Sequence, residues 1–405
     1  MKDSEFFEQA LGLSEPWQVT AVALDLNAKK VEVTIACMQK VWADPESRER
    51  LHIHGYETRR WRHLDTMQFE TVLVAEVPRV KYPDGRTELV SVPWAARKGR
   101  FTLMFEGWAV QVLTATSNIS AACELLRLSW DTAQAIMERG VFRGLERRKL
   151  EETKRIGIDE KSFKKSQDFI SVLTDVDNGC VIEVKAGRNR ESAIELLETI
   201  PTQTRDAVEA VAMDMSASFA AAVRETLPKA DIVYDRFHVS QLLNQAVDQV
   251  RRRENKHLLA EGDESLKGTR MEWLHDPRNL SEDRIEALSE LVSRNLKTAR
   301  AWMHKENFEG FWTMLSQHDG EGYLRAWYKS AIRSRLDPIK RCARTIITHS
   351  EGLLNYFKHR ISNAATEGLN SKIQSLKSAA RGFRNFANYR IRILFFCGKL
   401  DMGIL

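Results

Sequence analysis

The chain has 405 residues, of which 43% are hydrophobic and 29% are charged, a composition typical of a globular protein with roughly two or three domains. It contains no apolar run of about 18 residues, so no transmembrane helix is predicted, and its first residues lack the features of a signal peptide. The five cysteines are odd in number and widely spaced, which favours reduced thiols and a cytoplasmic location over a disulfide framework.

The net charge of +5 is unevenly distributed along the chain. Residues 338–399 contain twelve Lys or Arg and only two acids, Glu351 and Glu367, so the rest of the chain carries a net negative charge. A basic segment on such a body indicates a polyanionic partner, most often a nucleic acid. A basic helix face that is merely solvated is the alternative interpretation.

The overall pattern predicts a multidomain α/β protein, and residues 1–95 are predicted to form a small β domain. A short amphipathic helix is expected near residues 5–13. Apolar and polar residues alternate in 31–35 and in much of 69–77, which is typical of half-buried strands. No strand is predicted before residue 31.

A basic and aromatic segment lies between these predicted strands. It holds Arg59, Arg60 and Arg62 around Trp61. Either the arginines contact DNA phosphates, or Trp61 is a core residue with the arginine stems packed around it. The pattern leaves both interpretations open, and we retain the three arginines as candidate DNA-binding residues.

Residues 96–150 are predicted to form a helix-turn-helix domain that binds DNA. Ser129 offers an N-cap for a second helix over 130–139, and the short turn before it fits the motif. That helix presents Thr132 and Gln134, residue types that read base edges. Helical hairpins also occur in proteins that bind no DNA, so the following basic residues add to the argument: Arg143, Arg147 and Arg148.

Residues 151–240 are predicted to form the first part of a ribonuclease-H-like core. Apolar segments and helical patterns follow one another in the order βββαβαβ, which in such a sheet puts the first strand at the centre and the fourth parallel beside it. Asp159 follows the first strand and Asp214 the fourth, so the two carboxylates would lie a few ångströms apart. Like charges that close need a cation between them. Alternatively, each Asp only ends its strand or caps a helix.

The remaining chain reads mainly as helix. Residues 241–350 show little strand signal and are predicted to be an all-α insertion into the core. Residues 351–405 are predicted to supply the C-terminal part of the core with basic helices. Glu367 would lie on the first turn of a helix over about 363–376.

Four motifs, in order, carry a resemblance to a known family. They are Gly-Ile-Asp-Glu at 157–160, Ala-Met-Asp-Met-Ser at 212–216, Tyr-Asp-Arg-Phe-His at 234–238 and Ser-Asn-Ala-Ala-Thr-Glu-Gly-Leu-Asn at 362–370. With a long helical stretch between the second Asp and the Glu, the chain resembles the DDE transposases of bacterial insertion sequences, specifically the ISL-type group. The likeness extends from about residue 30 to 400.

The N-terminal ribbon departs from that resemblance, because members of the group usually carry zinc-binding cysteines there. Cys37 has Lys40 where a C-x-x-C partner would stand, and His52 and His54 do not complete a set of four ligands. A structural zinc ion is therefore not expected.

The resemblance implies that Asp159, Asp214 and Glu367 form a catalytic and metal-binding triad, separated by 55 and 153 residues. Their carboxylates would hold two Mg²⁺ ions about 3.5–4 Å apart, for which Mn²⁺ can substitute. The implied reactions are hydrolytic cleavage at the terminal inverted repeats of an element and strand transfer into target DNA. The implied partner is double-stranded DNA, bound by a homodimer or higher oligomer in the bacterial cytoplasm or nucleoid, without a membrane.

Supporting roles follow from the same resemblance. Asp235, His238 and Asn363 would position a metal ligand or the scissile phosphate, although a core Asp–His hydrogen bond explains the first two equally well. Basic residues near the C-terminus would line the DNA backbone: Lys372, Lys377, Arg381 and Arg384.

Three alternatives remain at this point. A ribonuclease-H-like nuclease would share the triad but not the strand-transfer step, and a catalytically inactive regulator would retain only DNA binding. In the third alternative, Glu351 replaces Glu367 as the third acid, although its neighbours lack the motif. The helix-turn-helix and the long helical stretch favour a transposase, since recognition and synapsis of element ends need extra domains.

Overall fold

The computed structural model describes residues 2–44, 48–163, 168–361 and 364–404. Its contacts divide the chain into two compact units. The first, called here the N-terminal unit, comprises Met1–Arg148 with Leu400–Leu405, and the second, the core unit, comprises Lys149–Lys399. The five segments predicted from the sequence are a finer division, which stays a prediction. Within the described residues, no helix is both long and apolar enough to cross a bilayer.

Among its described residues, the N-terminal unit begins with one helix, continues through six strands and ends with three helices. In chain order these are α1 (Asp3–Ala10), β1 (Trp17–Asp25), β2 (Lys30–Cys37), β3 (Trp42–Ala43), β4 (Arg50–Arg62), β5 (Glu70–Lys81), β6 (Thr87–Leu89), α2 (Leu103–Thr116), α3 (Ile119–Leu126) and α4 (Trp130–Arg147).

The six strands form one sheet in the order β1-β2-β5-β4-β3, with β6 paired to β5. The strand β1 was not predicted, because Trp17 and Val19 are its only buried residues and the alternation stops after them. The core of the sheet includes three tryptophans: Trp94 packs edge-on against Trp17 at 5.0 Å and against Trp61 at 5.4 Å between ring centroids. Trp61 is thus a core residue, the second of the two interpretations of its segment.

The three helices α2, α3 and α4 include the predicted turn and cap. The side chain of Ser129 accepts a hydrogen bond from the Thr132 backbone N–H at the start of α4, which satisfies a helix-end donor. The helix continues to Arg147, eight residues beyond the predicted end, because Gly140, Val141 and Gly144 are buried along one of its faces.

The core unit contains five strands and twelve helices among its described residues. In chain order these are β7 (Arg155–Ser162), β8 (Phe169–Asp175), β9 (Cys180–Ala186), α5 (Arg190–Leu197), α6 (Thr202–Ala207), β10 (Ala210–Met213), α7 (Ala217–Thr226), β11 (Asp231–Tyr234), α8 (Arg236–Ala260), α9 (Arg270–Leu274), α10 (Glu282–Ser293), α11 (Lys297–Glu309), α12 (Gln317–Arg333), α13 (Asp337–Thr348), α14 (Ser350–His359), α15 (Ala364–Ala379) and α16 (Phe386–Cys397). Two 3₁₀ turns cover Pro277–Asn279 and Gly310–Thr313.

The five strands of the core unit form a sheet in the order β11-β10-β7-β8-β9. The neighbours β7, β8 and β9 are antiparallel, whereas β10 runs parallel to β7 and β11 runs parallel to β10. The strand β7 is therefore central and β10 lies parallel beside it, as the order of apolar segments predicted. Parallel neighbours end at the same edge of a sheet, and this edge positions the site described below.

Residues 241–350 contain helices and no strand. They do not form a core of their own, because Trp273 and Trp327 belong to the same buried cluster as the sheet residues Ile158 and Met213. The mixed α/β architecture is thus built on one continuous core within this unit.

Candidate active site at the carboxyl edge of the core sheet

Three carboxylates lie at the same level of the core sheet, Asp159 within β7 and the other two directly after β10 and β11. Ile158 of β7 is in register with Met213 of β10, which is in register with Tyr234 of β11. The next residue along each strand direction is an acid: Asp159, Asp214 and Asp235. Because the three strands are parallel, these acids lie side by side at the carboxyl edge, where open α/β sheets bind their ligands.

Asp159 is held by three donors. Its Oδ1 accepts the Glu160 backbone N–H at 2.8 Å, and its Oδ2 accepts the Asn370 amide at 2.6 Å. The Lys161 Nζ lies 3.1 Å from the same Oδ2. The carboxylate, whose side chain is 13% exposed, is therefore oriented by two residues of its own strand and by one from α15, and its charge is compensated.

Asp214 lies in a more negative environment. Burial raises the pKa of Asp214; the charge of His238 and the Ser216 backbone N–H oppose this rise, whereas the charges of Asp159 and Asp235 add to it. Burial also raises the pKa of Glu160. Clustered acids with raised pKa values are a place where a bound cation relieves repulsion.

Asp235 has a clear local role. It is buried, and its carboxylate accepts the Phe237 backbone N–H at 3.0 Å, which caps α8. The His238 Nε2 lies 3.8 Å from its Oδ2. That distance is too long for a hydrogen bond, so the Asp235–His238 contact is electrostatic, and a positioning role for the two residues stays a prediction.

Glu367 lies on the first turn of α15, with its side chain exposed. The preceding Thr366 is buried, and a Cβ built on Gly157 would lie 3.3 Å from the Thr366 Oγ1. The helix therefore passes close to β7 because β7 has a glycine there. Asn370 follows Glu367 by one helical turn, on the same helix face, and contacts Asp159.

Glu367 and Asp235 line one cleft of about 360 Å³, together with Arg236 and Ser240. The site thus opens to solvent between α15 and the start of α8. Among the described residues, no three His, Cys, Asp or Glu side chains are grouped so that they could hold a metal ion. Asp159 and Asp214 follow paired residues of β7 and β10, and Glu367 lines the cleft beside Asp235.

Two further residues were considered for the site, Asn363 as a positioning residue and Glu351 as an alternative third acid. Asn363 lies outside the described residues. Glu351 is exposed near the start of α14, where its charge raises the pKa of Tyr234 after the larger effect of burial.

Four basic residues of the C-terminal segment divide into two pairs. The ammonium groups of Lys372 and Lys377 donate to the backbone carbonyls of Phe396 at 2.6 Å and Ser162 at 2.5 Å. Arg381 and Arg384 are exposed and form no ion pair with another described residue. Contact of all four with DNA stays a prediction.

The three arginines of β4 have partners within the N-terminal unit. Arg59 donates to the Gly99 carbonyl at 3.1 Å, Arg60 pairs with Glu32, and Arg62 pairs with Asp65. Arg62 also donates to the His63 carbonyl at 2.5 Å. These contacts support the local fold, and a DNA contact of the same side chains is untested.

In the helix-turn-helix segment, Thr132 and Gln134 are half-buried, with Gln134 donating to Glu138 at 3.2 Å. Two of the basic residues that follow are tied to the fold. Arg143 pairs with the buried Glu106 at 2.9 Å, and Arg147 donates to the Gly403 carbonyl at 2.7 Å. Arg148 is half-buried.

Lys161 and Asn370 are the residues that sequence reasoning did not assign to the site. Lys161 lies two positions after Asp159 on the same face of its strand, and Asn370 lies three positions after Glu367 on the same face of its helix. These spacings were available in the sequence. The spacings alone could not show that α15 contacts β7, because Asn370 and Asp159 are 211 residues apart in the chain.

Comparisons with known proteins agree over most of the chain. A model of the DDE transposases of the ISL3 group, described as "Transposase", matches residues 156–393 and so spans all three predicted catalytic acids. A model described as the helix-turn-helix domain of transposase family ISL3 matches residues 90–141.

Two relatives with similar sequences are also described as transposases of insertion sequence elements. The chain is 28% identical over 356 residues to the transposase for insertion sequence element IS1557 of Mycobacterium tuberculosis, covering 82% of this chain and 80% of the relative. It is 24% identical over 347 residues to the transposase for insertion sequence element IS1001 of Bordetella parapertussis, covering 84% and 85%.

The N-terminal ribbon is matched as well, and this weighs against the expectation of no zinc. A model described as the zinc-finger of transposase IS204/IS1001/IS1096/IS1165 matches residues 40–85. That segment contains no cysteine and three histidines, of which His52 and His54 are exposed on β4 and His63 bonds to Thr102. The segment is thus similar to that zinc finger, while its three histidines are fewer than the four ligands of a tetrahedral zinc site.

Proposed function

The chain belongs to the ISL3 family of DDE transposases and is a DNA transposase, and we propose that Asp159, Asp214 and Glu367 are the acids of its active site. The observation that carries this proposal is the register of the core sheet, which sets Asp159 and Asp214 next to each other at the carboxyl edge. The hydrogen bond from Asn370 to Asp159 supports Glu367 as the third acid, because it brings the first turns of α15 to that edge.

The core is proposed to be ribonuclease-H-like, with residues 241–350 as an all-α insertion before the last core helices. The strand order β11-β10-β7-β8-β9, with a central first strand, supports the first part. The purely helical content of 241–350 supports the second. In this arrangement the insertion follows β11, so its first helix α8 begins beside the acids.

Membership in a DDE family implies the use of a divalent metal, and the carboxylates fit this requirement by their chemistry. Hard carboxylate oxygens suit Mg²⁺ and Mn²⁺, and the raised pKa of Asp214 reflects burial among like charges that a cation would relieve. We propose that Asp159, Asp214 and Glu367 hold two Mg²⁺ ions. When bound, the metal would supply Lewis-acid stabilisation of the attacking and leaving oxygens.

The protein's own groups would orient and balance this site. Asn370 fixes the rotamer of Asp159 through a hydrogen bond of 2.6 Å. The ammonium of Lys161 offsets the charge of the same carboxylate, and His238 offsets that of Asp214. No side-chain nucleophile is needed, since a water or a DNA 3′-hydroxyl attacks the phosphate in line.

DNA binding follows from the helix-turn-helix family match over residues 90–141. We propose that α4 reads the terminal inverted repeats through Thr132 and Gln134 at its start. Because cleavage and joining of an element involve both of its ends, the active form on DNA would be a homodimer or a higher oligomer. The basic residues Arg381 and Arg384 would contact the DNA backbone near the site.

A cleavage and joining assay tests the proposal. DNA that carries candidate element ends is incubated with Mg²⁺ or Mn²⁺ and with wild type, Asp159→Asn, Asp214→Asn or Glu367→Gln. Each isosteric change removes one charge, and we expect cleavage to fall by about 10²–10³-fold or more while DNA binding in EDTA stays within about twofold. Glu351→Gln is the control and is expected to remain active.

The products separate the alternatives. Cleavage with joined products identifies a transposase active site, whereas cleavage without joining would indicate a nuclease. Binding without any cleavage by the wild type would indicate an inactive regulator. Activity in Glu367→Gln combined with loss in Glu351→Gln would move the third acid to α14.

A further inference from the structure

A basic turn of fixed shape precedes the helix-turn-helix. We use the name basic turn for residues 96–100, Ala-Arg-Lys-Gly-Arg, which lie between β6 and α2. The Gly99 N–H donates to the Ala96 carbonyl at 2.8 Å, and a Cβ built on Gly99 would lie 2.9 Å from that same oxygen. Glycine is therefore required at this point of the turn.

Backbone contacts fasten the basic turn to the sheet. The Arg62 N–H donates to the Arg100 carbonyl at 3.0 Å, and the Thr102 N–H donates to the Arg62 carbonyl at 2.9 Å. The guanidinium of Arg59 adds a bond of 3.1 Å to the Gly99 carbonyl. The turn is thus held by its main chain, and the side chains of Lys98 and Arg100 are not used to hold it.

Those two side chains carry uncompensated charge. Arg97 pairs with Glu88 at 2.5 Å, whereas Lys98 and Arg100 are exposed and form no ion pair with any residue that the structure describes. Lys98 also has a φ of +64°, a conformation that L residues rarely adopt. Because the backbone of the turn is already held, only these two side chains have to be ordered when they bind an anion.

The location of the basic turn indicates which anion. It lines a cleft of about 580 Å³ together with the start of α4, including Ser129, Asp131 and Thr132. The other acid of this cleft, Glu106, is neutralised by Arg139 and Arg143. When the second helix of a helix-turn-helix enters the major groove with its N-terminus toward the bases, phosphates border it on both sides.

We propose that the basic turn is a phosphate-binding element of the DNA-binding module, in which Lys98 and Arg100 contact the backbone of the duplex that α4 enters. This inference rests on the proposed reading of DNA by α4. It adds a contact that carries no sequence information but fixes the register of the helix in the groove. Lys98 and Arg100 thus contribute affinity and salt dependence, and Thr132 and Gln134 contribute sequence preference.

The test measures DNA affinity as a function of salt in EDTA, so that no cleavage occurs. The full chain is titrated onto a random-sequence duplex and onto a duplex carrying candidate element ends. The test variant is the double substitution Lys98→Gln/Arg100→Gln. The matched control is Lys29→Gln/Lys40→Gln, which removes two exposed cations of the same unit, neither of which forms an ion pair among the described residues. Lys29 has a positive φ as well, +50°, so both doubles place Gln at one such position.

Each phosphate contact contributes about 0.9 to the slope of log K against log salt. We expect the test variant to lose about 2 from that slope and roughly tenfold or more in affinity at 0.1 M salt, equally on both duplexes. The control is expected to keep the wild-type slope. Arg100→Lys, which retains the charge, is expected to recover about half of the lost slope when introduced in place of Arg100→Gln.

An unchanged slope in the test variant, or an equal loss in the control, overturns the proposal. Failure of the underlying function looks different. If wild type binds both duplexes equally and Thr132→Ala changes nothing, reading of DNA by α4 fails, while the slope on random DNA still reports on the basic turn. Matching circular dichroism and thermal unfolding of both doubles and wild type show that any loss of slope is not a loss of fold.

Discussion

The two charged surfaces of this protein hold their charges in opposite ways. At the carboxyl edge of the core sheet, Asp159 and Asp214 are half-buried acids whose positions follow from strand register and whose charge is offset by Lys161 and His238. On the basic turn, Lys98 and Arg100 are exposed on a backbone of fixed shape and form no ion pair with a residue that the structure describes. The comparison teaches that a metal site needs its like charges compensated in advance, whereas a DNA-binding surface works because its charges are left uncompensated.

The largest expected effect breaks the carboxyl edge alone. In Gly157→Val, the added Cβ meets the Thr174 Oγ1 at 2.5 Å and the Thr366 Oγ1 at 3.3 Å, so Thr174 of β8 must move and α15 must give way as well. A displacement of about 1 Å at reacting groups costs about 100-fold in rate, and overpacking costs about 1–3 kcal/mol of stability. We expect the cleavage rate to fall by about 100-fold, with DNA affinity unchanged.

The matched control for this variant lies on α15 itself. A Cβ on Gly368, directly after Glu367, meets no atom of the described residues within 4 Å, and Val is a better helix former than Gly. Gly368→Val is therefore expected to cleave at close to the wild-type rate. Equal activity of the two valine variants would show that the contact between Gly157 and Thr366 does not position Glu367.

The carboxyl edge was largely predictable from sequence, and the basic turn was not. The short apolar segment before Asp214 identifies the end of β10 locally, whereas β7 continues past Asp159 to Ser162 because its last residues pair with β8. The order of elements then fixes which strands are neighbours. The shape of the basic turn depends on bonds from Arg59 and Arg62, about 40 residues away in the chain, and no local pattern encodes them. The partners of Asp159 illustrate both cases, because Lys161 is local and Asn370 is not.

A similar limit applies to β1 and to the end of α4. The strand β1 buries only Trp17 and Val19, so its remaining residues lack the alternation by which strands are predicted. The helix α4 extends to Arg147 because buried contacts favour it, including a Gly144 that lies close to Leu400. Tertiary packing decided both boundaries, and packing cannot be read from a local window.

The second prediction concerns the N-terminal unit, which we expect acid to destabilise through His63 while the carboxyl edge of the core unit is unchanged. Burial, with a further effect of the Arg62 charge, lowers the pKa of His63 from 6.5 to about 4. The unfolded chain binds a proton at His63 more readily than the folded chain does. The contribution of neutral His63 to the free energy of unfolding is therefore complete above pH 6.5 and is lost as the pH falls toward 4. At pH 5 the loss is about 2 kcal/mol.

Guanidinium unfolding of the full chain, followed by tryptophan fluorescence, measures this loss at pH 7 and pH 5. The His63 Nδ1 lies 2.9 Å from the Thr102 Oγ1, a hydrogen bond that Gln can replace without a titrating group. We expect His63→Gln to be less sensitive to acid than wild type by about 2 kcal/mol between these pH values. The same pH dependence in both proteins would contradict the assignment of the low pKa to His63.

The smallest expected effect concerns a single hydrogen bond of the carboxyl edge, the one from Asn370 to Asp159. Asn370→Ala removes the amide that orients Asp159, and loss of such a partner typically costs about 10–100-fold in metal affinity or activity. Since Asp159 keeps its Glu160 and Lys161 contacts, we expect a loss at the lower end of this range, about tenfold. The Mn²⁺ concentration for half-maximal binding, measured by electron paramagnetic resonance, should rise about tenfold, as should that for cleavage.

The control for this variant is Gln374→Ala, an exposed residue one turn further along α15, which is expected to keep the wild-type metal dependence. A rise in both variants would indicate a general loosening of α15, and a rise in neither would mean that Asn370 does not act through Asp159. Together with the basic turn, the result forms a double dissociation: Asn370→Ala changes metal dependence at constant DNA affinity, and Lys98→Gln/Arg100→Gln changes DNA affinity at constant metal dependence. That outcome is expected because the carboxyl edge and the basic turn draw on separate sets of contacts in separate compact units.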